Sequence, residues 1–158
     1  MGLDMTLYVV RKEYVSTYTK NDNLKLEYPE ELLKHITSEY RCVMQNTYYE
    51  VAYWRKANQI HNWFVQNCAD GIDECQPINV SVDNLKTLLS ACEYVLSNPK
   101  DASTFLPTQS GFFFGPTDYG DGYFEDIKDT IAYIKPIISF MEGQKEPYKW
   151  YIEYQASW

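Results

Sequence analysis

Positive charge is scarce in this chain. Fourteen Lys and Arg stand against 22 Asp and Glu, a net charge of −8. General nucleic-acid binding and adhesion to anionic membranes both need a basic patch, so neither class is expected. Small ligands, basic protein partners and mimicry of nucleic-acid charge stay open. Long apolar runs are also missing. Asp4 comes early and no apolar core of a leader follows, so neither a secretory segment nor a membrane span is expected. The four cysteines, Cys42, Cys68, Cys75 and Cys92, form no paired C-x-x-C. Reduced thiols in a cytoplasm are the expectation. Histidine occurs only at His35 and His61, which leaves little acid–base chemistry near neutral pH. There is no G-x-S-x-G, no P-loop and no H-E-x-x-H, and these gaps lower the weight of an enzymatic function. Internal repeats and low-complexity tracts are absent.

Metal binding and a cofactor are not expected either. His35 and Cys42 stand seven residues apart, as do His61, Cys68 and Cys75 in turn. Structural zinc sites bring their ligands in tight pairs instead. The acids Asp70, Asp73 and Glu74 lack the alternation and closing Glu of a calcium loop and read as a solvated turn. Met1–Thr6 fits the loose acylation pattern M-G-x-x-x-[ST]; the start of a strand accounts for it equally.

Aromatic residues are plentiful: they make up 16% of the chain, with 15 Tyr. They suit half-buried sheets and binding surfaces alike. The length of 158 residues predicts one domain spanning 1–158 with a core of its own. Leu3–Val10 alternates as a strand, and Arg11–Lys25 reads as a loop or an irregular hairpin arm. Pro29-Glu30-Glu31 would open a short helix. Tyr40–Ala52 reads as extended structure leading into an amphipathic helix, Tyr53–Cys68. At about 100° per residue, Tyr53, Ala57, Ile60, Phe64 and Cys68 form its core stripe. His61 lies inside that stripe beside Trp54, Asn58 and Val65 border it, and Arg55, Gln59, Asn62 and Gln66 face solvent.

Further on, Ile78–Ser81 reads as a short strand and Ser81 as an N-cap. It opens a helix whose stripe is Leu85, Leu88, Leu89, Cys92, Val95 and Leu96. Asn98-Pro99 stops it. Tyr123–Lys135 is a third helix, expected to kink or restart at Pro136, with Gly143 as a later C-cap. Tyr148–Trp158 is a final strand, with Trp150, Ile152, Tyr154, Ala156 and Trp158 on one face. Strands at both ends with helices between predict an α+β domain. Its mixed or antiparallel sheet would include both terminal strands and be packed by about three helices.

Two stretches carry the candidate chemistry. A His inside an apolar stripe needs a partner. It is either a core histidine or, with Trp54 and Asn58, one wall of a pocket. The loop Leu106–Gly120 sets Phe112–Phe114 between Gly111 and Gly115. It would plug the core or form a platform for a flat ligand. The ligand-binding set expected from the two is Trp54, Asn58, His61, Thr108, Ser110, Phe113 and Tyr119. If the protein is an enzyme, His61 is the general base, oriented by Glu50, Asp70 or Asp118.

The start MGLDM, the stretch YWRKANQIHNWFVQN (Tyr53–Asn67), DGIDEC (Asp70–Cys75), LPTQSGFFFG (Leu106–Gly115), YFEDI (Tyr123–Ile127) and the end YQASW resemble a family of uncharacterised small proteins. That family occurs in bacteriophages, prophages and bacteria. The resemblance implies a mobile-element setting and no particular chemistry. The expectation is a cytoplasmic accessory protein that binds a nucleotide-like small ligand or a host protein. A small hydrolase or transferase built on His61 is the alternative, and a homo-oligomer formed through a Tyr-rich sheet is a third.

Overall fold

A computed structural model of the chain describes residues 2–16, 31 and 42–158. Four strands, β1 (Asp4–Ser16), β2 (Cys42–Arg55), β3 (Ile78–Val80) and β4 (Trp150–Ser157), form one sheet in the order β2-β1-β4-β3. Every neighbouring pair is antiparallel. The helices are α1 (Asn58–Cys68), α2 (Val82–Ser97), the single turn α3 (Ala102–Phe105) and α4 (Asp121–Glu142). The α+β single domain is therefore as expected, with the first and last strands side by side.

The core follows from alternation. Met5, Leu7 and Val9 of β1 and Ile152, Tyr154 and Ala156 of β4 are buried on one sheet face. Against them lie Ile60 and Phe64 of α1, Leu85, Leu88, Cys92 and Val95 of α2, and Ile127, Ile134 and Ile137 of α4. Burial of each such side chain contributes roughly 1.5–3 kcal/mol. Between Leu7 and Tyr8 the β1–β2 register slips, so that Ala52 faces Leu7 and Glu50 faces Tyr8. Val51 is the extra residue of a β-bulge. The slip changes the phase of β2 and brings Tyr49 onto the same face as Ala52 and Trp54.

The largest correction concerns the start of α1. Tyr53 and Trp54 are strand residues, paired with Thr6 and Met5. The chain leaves the strand at Lys56, which takes a left-handed φ of 63° while its N–H bonds the Leu3 carbonyl at 2.8 Å. Pairing with β1 outweighs the helical spacing. The helix is also more deeply buried than its periodicity implied: Gln59, expected in solvent, is 2% exposed.

The remaining elements need less revision. Ser81 caps α2 in a reciprocal capping box with Asn84, and Asp83 lies in the first turn. The third helix starts at Asp121 and runs through Pro136 to Glu142 without restarting. The proline ring leaves the Ala132 carbonyl without its helical donor. Gly143 ends the helix as expected, though with an ordinary φ. The region expected as a loop or hairpin arm begins inside β1, which continues to Ser16. The short helix expected at Pro29–Glu31 lies outside the described residues apart from Glu31, which is helical. No helix among the described residues is long and apolar enough to cross a membrane.

Candidate functional site

Polar side chains from the sheet and α1 reach through the core and tie the loops to it. Trp54 Nε1 donates to Thr130 Oγ1 of α4 at 2.9 Å, and Thr130 in turn bonds the Asp126 carbonyl. The fully buried His61 has both ring nitrogens engaged. Nδ1 stands 2.7 Å from the Tyr154 hydroxyl, and Nε2 stands 3.0 Å from Asp73 Oδ2. One neutral arrangement satisfies all three groups: Tyr154 donates to Nδ1, and Nε2–H donates to Asp73. Burial, and secondarily the negative charge of Asp73, push the Tyr154 phenol well above its ordinary range, so it remains a donor. The orienting carboxylate is thus Asp73, in the segment read as a solvated turn. Glu50, Asp70 and Asp118 do not fill that place.

Asn58 governs the phenylalanine loop. Its Nδ2 donates to the carbonyls of Phe114 (3.1 Å) and Pro116 (2.8 Å). Its Oδ1 accepts from Gln109 N–H at 2.9 Å. Leu3 N–H bonds the Phe113 carbonyl, and Phe114 N–H closes a turn onto Gly111. Held this way, the three phenylalanines go to three environments. Phe114 is buried, edge-on to His61 at 5.3 Å and to Trp158 at 5.7 Å. Phe113 is half-buried. Phe112 is 96% exposed and rests only edge-on against Phe113.

Of the residues expected to bind a ligand, Trp54, Asn58 and His61 are buried, and the space expected to be a pocket beside them holds the Phe114 ring. Thr108 Oγ1 donates to the Thr117 carbonyl and the Thr108 N–H donates to the Tyr119 hydroxyl, so these two brace the loop. Ser110 is exposed at its crest. None of the seven lines the two concavities beside the frame.

The first concavity is a polar cleft of about 210 Å³, lined by Arg55, Lys56, Gln59, Asp118, Tyr123 and Asp126 among others. Gln59 Nε2 donates to Asp126 Oδ2 at 3.1 Å and to the Tyr123 carbonyl at 3.4 Å. Burial raises the Asp126 carboxyl above its ordinary range, and the Gln59 hydrogen bond partly offsets this. The second, of about 620 Å³, is apolar and lies between α4 and the sheet. Val9, Tyr49, Val51, Pro136, Phe140 and Trp150 form most of its walls. Among the described residues, no three His, Cys, Asp or Glu side chains converge to hold a metal ion. Burial pushes the Cys68 thiol up to about 11 and the Cys92 thiol up to about 12, which suits inert core thiols.

Sequence reasoning missed Gln59, Asp126 and the rim cations Arg55 and Lys56. No local signal marked them, because Gln59 and Asp126 meet across 67 positions of chain. No family model, no curated protein and no solved structure matches the chain.

Proposed function

We propose that this is an accessory protein that works by binding another protein, with Phe112 as the anchor. The observation that supports this reading is a 96%-exposed phenylalanine on a loop fixed by backbone and Asn58 hydrogen bonds. Covering a phenyl ring contributes roughly 1.5–3 kcal/mol. A loop already in its bound shape does not lose that gain to ordering. Buried aromatic anchors of this kind dominate many interfaces. The resemblance to phage and prophage proteins supports a protein of the host cytoplasm as the partner.

The hydrolase or transferase reading gains less support. His61 has no exposed surface, and both of its nitrogens are engaged. A general base needs one nitrogen free toward substrate.

The test compares tagged wild type with Phe112→Ser in capture from host lysate. A host protein retained by wild type and lost from a variant of equal thermal stability supports the reading. Identical retained sets overturn it.

A further inference from the structure

The polar cleft carries charges of both signs. Two cations, Arg55 and Lys56, and two carboxylates, Asp118 and Asp126, line the same small volume. Their formal charges cancel, so the cleft attracts neither a net anion nor a net cation strongly; it is polarised instead. The acceptor side is the inner one. Gln59 is 2% exposed, and its Nε2 is committed to Asp126 and the Tyr123 carbonyl. Its Oε1 accepts no hydrogen bond from the described residues and is not among the buried atoms left without a partner, so it is open to water or to a ligand's donor. The cationic side is the rim, since the Arg55 side chain is largely in solvent and reaches Asp4 only at 3.7 Å.

The start of α4 does not serve as the anion site. A Cβ placed on Gly120 would meet Asp118 Oδ2 at 2.6 Å, so that carboxylate already lies against the positive end of the helix. The anionic end of any ligand falls to Arg55 and Lys56. Lys56 is held there by its left-handed backbone. Across from it a Cβ on Gly115 would come within 2.9 Å of the Lys56 Cβ, so the two chain segments close tightly at the cleft edge.

We propose that the cleft binds a small zwitterion. An ammonium or amidinium end lies against Asp126 and Gln59 Oε1, and a carboxylate or phosphate end lies against Arg55 and Lys56. The volume of about 210 Å³ suits a molecule of amino-acid size. The proposal does not depend on the Phe112 anchor. Binding an ammonium requires ionised Asp126, whose carboxyl burial has raised. Affinity therefore falls as pH is lowered through the carboxylate range.

The experiment is an NMR titration that follows the Gln59 side-chain amide and the Gly122 backbone amide. γ-Aminobutyrate and phosphoethanolamine are the zwitterionic probes, and they separate a carboxylate from a phosphate as the anionic end. Ethylamine, acetate and inorganic phosphate are one-ended controls. At least one zwitterion is expected to shift both signals saturably, about tenfold tighter than any control. Asp126→Asn and Arg55→Gln should each weaken it about tenfold. Arg55 is exposed enough for its variant to keep the fold if the other does not. No saturable shift up to about 10 mM, a control binding as tightly as the zwitterions, or unchanged affinity in a folded Arg55→Gln variant would overturn the proposal.

Discussion

His61 Nδ1 lies 2.7 Å from the hydroxyl of Tyr154, a residue 93 positions away that stacks on Phe64 with ring centroids 4.2 Å apart. This contact and its continuation to Asp73 join α1, the last strand and the acidic turn. Tyr154→Phe keeps the stack and leaves Nδ1 without its donor in a dry site. The expected loss is about 1–3 kcal/mol, read from urea unfolding, with little change in the slope of the transition. An unchanged midpoint would mean that the hydroxyl contributes nothing.

Asn58 and the phenylalanine loop make the second prediction. Asn58→Ala removes the anchor of the Phe114 and Pro116 carbonyls and of Gln109 N–H together. Stability should fall by about 2–4 kcal/mol, given about 1 kcal/mol for each buried hydrogen bond and more for groups left unpaired. Chymotrypsin should then cut at Phe112 faster than in wild type, because the loop opens locally. Equal cleavage rates would mean the loop is held by something other than Asn58.

Much of the fold was legible. The apolar alternation of β1 and β4 and the stripe and cap of α2 are local patterns, and each corresponds to an element that formed. What sequence could not show depends on contacts distant along the chain. Trp54 sits where a helix was expected because Met5 pairs with it. Asp73 is the partner of His61 because a turn of left-handed residues, Asp70, Gly71 and Cys75, brings it back over the core. Phe112, Phe113 and Phe114 are the same letter three times. Only the pinning by Asn58 and Leu3 decides which ring is buried and which is in solvent.

The handover from β2 to α1 supplies a third prediction. Lys56 has a φ of 63° and Gly115 a φ of 89°. Lys56→Gly should raise stability by up to about 1 kcal/mol, since glycine adopts that conformation without a Cβ clash. Gly115→Ala should lower it by about 1–3 kcal/mol, because its new Cβ would meet Lys56. Chemical denaturation of both variants checks the pair; opposite signs to these would contradict the packing described.

Asp126 gives a prediction in pH. Burial raises its folded pKa above the unfolded value. As pH falls, the folded protein takes up this proton before the unfolded chain does, so acidification through that range favours folding by way of this group. Above it, the ionised carboxylate costs stability. Asp126→Asn should therefore be as stable as wild type or more so at neutral pH. Its advantage should shrink as pH drops through the carboxylate range, as melting curves across pH would show. An advantage that grows on acidification would contradict the assignment.

In the proposed reading, Phe112 is the point of contact with a partner. The most direct measurement places a photo-crosslinking phenylalanine analogue at position 112 in cells, with the same analogue at the exposed Tyr94 as the control. A discrete adduct formed from position 112 and absent from position 94 is the predicted result. No adduct at 112, or the same adducts from both positions, would contradict it.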